Sequence, residues 1–141
     1  MKKILVLFFI LFPLTARADV LINSDKFPDE EFRAYVNSSF DINGDGILSD
    51  SEISSAKKIY VENKNIASLK GIEYFTALTE LSCGHNTDLT TLDLSKNVNL
   101  EVLFCTECSL KEINVSGCLK LKEFYCYLNQ IENLDITNNT E

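Results

Sequence analysis

The feature that most restricts this chain is a repeat that fills the part after residue 55. From Leu78 the sequence reads LTELSCGHN then LTTLDLSKN, from Leu100 LEVLFCTEC then LKEINVSGC, and from Leu121 LKEFYCYLN then IENLDITNN. The starts of successive copies lie 22 and 21 residues apart, the extra residue falling between Asn86 and Leu89. A degenerate copy, AKKIYVENKNIASLKGIEYFTA, occupies 56–77. Self-similarity at this period means stacked units, because one unit cannot bury its apolar face alone.

Each half-copy reads L-x-x-L-x-[C/L/V/I]-x-x-[N/C]. Two apolar residues separated by one, such as Leu81 and Cys83, point to the same side of a short strand and face a core. Leu78 and Leu89 then fill the corners, and each strand pairs in parallel with its counterpart in the next coil. The Asn column, Asn86 and Asn129 in the first half and Asn97 and Asn139 in the second, should turn inward where a strand ends and satisfy backbone groups buried there. Cys108 and Cys118 take that place in the middle copy, and Lys64 takes it in the degenerate one.

The pattern resembles leucine-rich repeats, and the doubled form with Cys in the strand resembles the nested bacterial variety sometimes called IRREKO. The resemblance covers 56–141, about four copies. It implies an α/β solenoid in which short parallel strands line two faces, and a recognition role. The chain stops one repeat after Leu121 without a polar capping segment, so further repeats or another domain are expected to have followed.

Residues 41–52, DINGDGILSDSE, match D-x-[DN]-x-[DN]-G-x5-E at every specified position. The match resembles an EF-hand loop. By that resemblance Asp41, Asn43 and Asp45 present side-chain oxygens, Ile47 its carbonyl, Ser49 a hydroxyl or a bridging water, and Glu52 both carboxylate oxygens to Ca2+. Upstream, Pro28, Asp29, Glu30 and Glu31 read as a helix start, with Phe32, Tyr35, Val36 and Phe40 on one helical face. Only Ile53 to Lys58 remain for an exiting helix before strand pattern begins at Ile59. With no second loop to pair with, 19–55 is expected to cap the open end of the solenoid as helix plus calcium loop. The metal is then structural and not a sensor's.

The first eighteen residues read as an export signal: Lys2 and Lys3, an apolar run from Ile4 to Leu14, and the small-residue site Ala16-Arg17-Ala18. The run is well short of the roughly 20 residues that span a bilayer. Cleavage near Ala18 is expected to deliver a secreted, periplasmic or cell-surface chain with no membrane insertion. It removes three bases and no acid, taking the net charge from −8 to −11. Such a surface disfavours nucleic acid and anionic lipid.

Cys83, Cys105 and Cys126 share one repeat position and are expected to stack as buried thiols. CTEC at Cys105 and Cys108 leaves a redox pair or half a metal site as alternatives, and neighbours in the stack leave a strained disulfide after export as another. His85 is the single histidine, so a histidine triad or multi-histidine metal site is excluded. No nucleophile elbow or phosphate loop is present, and no catalysis is expected.

The residues between the core positions of the first-half strands, Tyr60, Ser82, Phe104 and Tyr125, should face solvent with Val102 and Tyr127 beside them. The second-half column is Asp93, Asn114 and Asp135. An exposed aromatic column favours a protein or glycan ligand, against the alternative of cross-strand packing with no ligand. The expected function is an adhesin-like interaction module with a structural calcium site. The alternatives are a calcium-dependent carbohydrate-binding or assembly module and a fragment of a larger surface protein.

Overall fold

The computed structural model describes residues 19–140. Its N-terminal part comprises β1 (Val20–Leu21), α1 (Glu30–Phe40), β2 (Ile47–Leu48) and α2 (Asp50–Ser55), with β1 and β2 antiparallel. Asp29 caps α1, its Oδ1 accepting from the Phe32 N–H at 2.9 Å, and Glu30 and Glu31 complement the helix dipole in the first turn. Phe32 and Val36 are buried, while Tyr35 and Phe40 pack half-buried against the core.

The exiting helix begins earlier than the expected Ile53 start and ends earlier than Lys58. Ser49 is its N-cap and Glu52 completes a capping box, so the helix starts inside the acidic loop. Lys58 belongs instead to a strand.

The solenoid follows as β3 (Lys58–Tyr60), β4 (Glu80–Ser82), β5 (Thr91–Asp93), β6 (Val102–Phe104), β7 (Glu112–Asn114) and β8 (Glu123–Tyr125). The first-half strands form one parallel sheet in the order β3-β4-β6-β8, in a register that aligns Tyr60, Ser82, Phe104 and Tyr125. On the second face only β5 and β7 pair, also in parallel. In the first copy the positions that would continue that sheet, 69–71, form no strand and lead directly into a short 3-10 turn, Ile72–Tyr74. The last copy has no second-half strand. Leu78, Leu81, Cys83, Leu89, Leu100 and Leu103 are buried between the two faces, as the repeat requires.

The Asn column does what its chemistry suggests. Asn86 is fully buried; its Nδ2 donates to the Val61 and Cys83 carbonyls, both at 2.8 Å, and its Oδ1 accepts from the N–H groups of Lys64 and Ile66 at 3.1 and 3.0 Å. Asn129 repeats this two coils later, donating to Cys105 and Cys126 and accepting from Leu110. Cys108 keeps bonds to the Cys83 and Thr106 carbonyls at 3.4 and 3.6 Å, and Cys118 one to the Leu94 carbonyl at 3.3 Å. In the second half Asn97 and Asn139 bind carbonyls of the preceding coil, but their Oδ1 atoms have no partner among the described residues. The second face is thus the less completely satisfied, and it is the one with fewer strands. Lys64, in the same column, is exposed, and the left-handed Asn65 that follows it has no counterpart in the later coils, so the first coil turns differently.

The cap meets the first coil through aromatic rings and one carboxylate. Phe27 packs at 6.0 Å from Phe32 and 6.4 Å from Phe75, and Phe40 lies 5.2 Å from Phe75. Gly71 admits Phe27: its φ is 106°, and any Cβ there would collide with the Phe27 ring. Asp29 uses its second oxygen to accept from the N–H groups of Ala67 and Ser68 at 2.8 and 3.2 Å.

Two substitutions test this account. Asn86→Ala removes the partner of five buried or half-buried backbone groups and should lower unfolding free energy by about 3 kcal/mol or more. Gly117→Ala drives a methyl into the Ser95 carbonyl of the neighbouring coil and should cost about 1–3 kcal/mol. Urea unfolding followed by circular dichroism reads both. A midpoint for Asn86→Ala within error of the parent would contradict the role given to the column.

Candidate functional site

The acidic loop between α1 and α2 is held by its own carboxylates. Asp41 Oδ1 accepts from the N–H groups of Gly44 and Asp45 at 2.8 and 3.1 Å, and Oδ2 from Gly46 at 2.9 Å. Asn43 Oδ1 accepts from Asp45 N–H and Asp45 Oδ1 from Ile47 N–H. Gly44 and Gly46 sit at φ 71° and 76°, the left-handed region that keeps the turn this tight. The Gly46 carbonyl is taken by the Ile22 N–H at 2.9 Å. Carbonyls alternate along a strand, so that of Ile47 points the opposite way.

Glu52 closes the loop. Its Oε1 accepts from Ile42 N–H at 2.8 Å, and Oε2 from Ser49 N–H and hydroxyl at 2.8 and 2.7 Å. These bonds, the Ser49 N–H first, hold its carboxyl below the ordinary value against the opposing effect of burial. Ser49, expected as a ligand or water bridge, thus has its hydroxyl directed at Glu52. Among the described residues no three His, Cys, Asp or Glu side chains are gathered as a metal cluster. Asp41, Asp45 and Glu52 are turned toward backbone N–H groups of the loop.

On the first-half sheet the register brings together most of the residues expected on a binding face. Tyr60 is 43% exposed, Tyr125 42% and Tyr127 61%. Phe104 and Val102 are half-buried. The Phe104 and Tyr125 rings stack with centroids 4.7 Å apart and planes 7° from parallel, the spacing of adjacent strands. Ser82 departs from expectation: it is 7% exposed, so the aromatic column is interrupted there. It is the one small residue of the row, with Tyr60 and Phe104 on either side of it in register. Tyr60 is also tied down, its N–H donating to the Tyr35 hydroxyl at 3.2 Å.

Residues that sequence reasoning did not single out frame this face. Lys58 pairs with Glu80 at 2.6 Å and Lys122 with Glu101 at 3.1 Å. Asn63, His85, Glu107 and Leu128, one per coil, all take positive φ where the first-half strands end, and His85 Nδ1 lies 3.3 Å from Glu107 Oε2. Their spacing follows the repeat period, but their residue types share no turn signature. On the opposite face Asp93, Asn114 and Asp135 are exposed and accept from the N–H groups two residues on, those of Ser95, Ser116 and Thr137.

All five cysteines are free thiols. Cys83 and Cys105 are buried side by side, and Cys126 follows half-buried. Burial is the main cause that raises every one of these thiols above its ordinary pKa, Cys118 to about 11. Nucleophilic thiolate chemistry at neutral pH is therefore disfavoured.

Comparison with known proteins agrees with this geometry. Internalin J of Listeria monocytogenes serotype 4b (strain F2365) is 36% identical over 74 residues, which are 52% of this chain and 8% of that protein. The solved functional domain of internalin J from Listeria monocytogenes, described as including a cysteine ladder, superposes with a TM-score of 0.77 at 32% identity, covering 89% of this chain and 28% of that one. An internalin (inlF) from L. monocytogenes strain F2365 gives 0.61 at 26% identity over 86% of this chain and 35% of its own. The chain thus spans under a tenth of the curated relative's length. No helix among the described residues is long and apolar enough to cross a membrane. With residues 27–140 matching the leucine-rich repeat domain of the endo-beta-N-acetylglucosaminidase EndoS, this internalin-like chain belongs to that leucine-rich repeat family.

Proposed function

We propose that the chain is an exported recognition module that presents the sheet face of Tyr60, Val102, Phe104, Tyr125 and Tyr127 to a protein partner. Calcium in the Asp41–Glu52 loop would be a structural ion of the cap. The observation that carries the reading is the stacked Phe104–Tyr125 pair held at strand spacing on an exposed parallel sheet. Exposed aromatic rings on a rigid scaffold supply large contact area with little ordering cost, a combination enriched in protein interfaces. The export signal at residues 1–18 lies outside the described residues; its sequence supports passage to the cell surface or beyond. The match to EndoS concerns that enzyme's leucine-rich repeat domain, which supports a non-catalytic role here.

The calcium reading rests on donor chemistry. Asp41, Asn43, Asp45, Ile47 and Glu52 offer only oxygens, the donors a hard divalent cation takes, and Gly46 already has the conformation the turn needs. The ion would neutralise carboxylates now crowded into one turn, and would fix α2 against α1. Holding it requires the Asp41, Asp45 and Glu52 oxygens to converge more closely than they do.

Calcium at about a hundred times its dissociation constant should add about 2.7 kcal/mol to the folded state, a rise of roughly 8 °C in Tm. Glu52→Gln should abolish most of the rise. A parent Tm indifferent to calcium and chelator would sink the metal proposal while leaving the recognition reading intact.

Without metal, the pH dependence follows from Glu52. Its folded pKa is depressed, so its contribution is present above the ordinary carboxylate range and is lost as pH falls through the folded value. Melts of parent and Glu52→Gln across the acid range should converge at low pH; a constant difference would contradict the assignment.

For the face, Phe104→Ala and Tyr125→Ala should each weaken binding to any extracellular protein selected on an array by about tenfold or more. Asp93→Ala on the opposite sheet should leave it unchanged. The reverse pattern would place the interface elsewhere.

A further inference from the structure

We infer that the outer edge of β5 docks an extended peptide segment of a partner protein, added to β5 and β7 as a third strand, with an apolar residue at its centre and acidic residues beside it. The site lies on the opposite sheet from the aromatic face and does not depend on it.

The ladder between β5 and β7 fixes which backbone groups are spent. Leu94 N–H donates to the Asn114 carbonyl at 2.8 Å, and the Thr90 carbonyl accepts from Lys111 N–H at 2.8 Å. Backbone groups alternate sides along a strand, so Leu92 also turns its N–H and carbonyl to β7, while those of Thr91 and Asp93 point away from it. No other strand lies beside β5. These four outward groups have no hydrogen-bond partner among the described residues.

The first coil passes this edge without pairing because it satisfies its own donors. Lys70 N–H donates to the Ser68 hydroxyl at 3.2 Å, Gly71 N–H to Glu73 Oε2 at 2.7 Å, and Ile72 N–H to the Leu69 carbonyl at 2.9 Å. Between the two coils is an open groove of about 320 Å3, the size at which ligand sites begin, and Thr91, Leu92 and Asp93 form one wall of it.

The other sheet shows such an edge protected. There the outermost strand, β3, turns the Tyr60 N–H outward, and the Tyr35 hydroxyl of the cap accepts it at 3.2 Å. The edge of β5 has no such cover. An unpaired edge is a template for another chain, and recognition by strand addition takes affinity from main-chain bonds and specificity from alternate side chains.

The lining sets that specificity. A residue opposite Leu92 would point inward as Leu92 does, and Leu69 and Ile72 line the groove with it, which selects a small apolar side chain. The residues on either side of it would point outward, and the charges of the groove favour acids there. Asp93 and Glu73 each already accept from a backbone N–H, those of Ser95 and Gly71. Lys70 and Lys96 also line the groove, and among the described residues no carboxylate lies within ion-pair distance of either. An acidic partner residue meets lysines that have no acid of their own.

Calorimetric titration of the intact protein with the capped peptide Thr-Asp-Val-Asp-Thr tests this. It should bind at least about tenfold tighter than the same peptide methylated at its Asp-Val-Asp nitrogens, which cannot donate, and than Thr-Lys-Val-Lys-Thr. Thr91→Pro deletes an N–H that faces the groove and spares the bonds to β7, so it should stay folded and lose at least about tenfold in affinity. Lys70→Gln combined with Lys96→Gln should erase most of the preference for the Asp peptide over the Lys peptide, and Phe104→Ala should change none of these affinities. Should Thr91→Pro fail to fold, the methylated peptide and the lysine pair carry the decision. Equal affinity for methylated and unmethylated peptides, no binding at millimolar concentration, or a charge preference unmoved by the lysine pair would overturn the docking edge. A dimer in sedimentation that Thr91→Pro dissolves, without peptide binding, would overturn it in favour of a second copy of this chain. Each of these failures leaves the aromatic-face reading standing, because that reading is measured by Phe104→Ala and Tyr125→Ala.

Discussion

A coil of this solenoid is incomplete by itself, and the burial of Asn86 shows in what sense. Its amide closes carbonyls of its own strand end and of the coil before, and its oxygen takes two N–H groups of that preceding coil. Stacking therefore satisfies polar groups as well as covering leucines, and both needs recur at the same period. This explains why Cys is accepted at two places in the column. Cys108 and Cys118 still reach a carbonyl of the previous coil, and their bulk is buried where a small apolar residue is welcome.

The first coil has no predecessor, so the same requirement must be met by other means. Asp29 meets part of it. One oxygen starts α1 and the other takes the Ala67 and Ser68 N–H groups, which have no strand beside them on the second face. Phe27, Phe32 and Phe40 close over Phe75, and Gly71 gives way so that Phe27 can enter. The acidic loop stands behind this plug and sets the angle between α1 and α2. Any ion that stiffened the loop would stiffen the plug, and through it the edge strand β3.

Much of this was legible in the sequence because it depends on period. The strand positions, the corner leucines, the stacked cysteines and the inward Asn-or-Cys column recur every 21 or 22 residues, and the Asp29 cap has a local signature. What could not be read depends on neighbours in space. Ser82 occupies an outward strand position yet is buried, and its neighbours in register, Tyr60 and Phe104, come from other coils. The early start of α2 was hidden because Ser49 and Glu52 carry two roles, capping box and loop closure, and the loop motif masked the cap. The second face loses strands in the first and last copies, where Gly71 and the 3-10 turn replace strand geometry or the stack has weaker hydrogen bonding.

The functional argument rests on the same geometry. Strand spacing fixes the distance between Phe104 and Tyr125, so two large rings that would otherwise sample several rotamers are held parallel on an exposed surface. If packing alone were the reason for these rings, the column would be expected to be continuous, and Ser82 interrupts it.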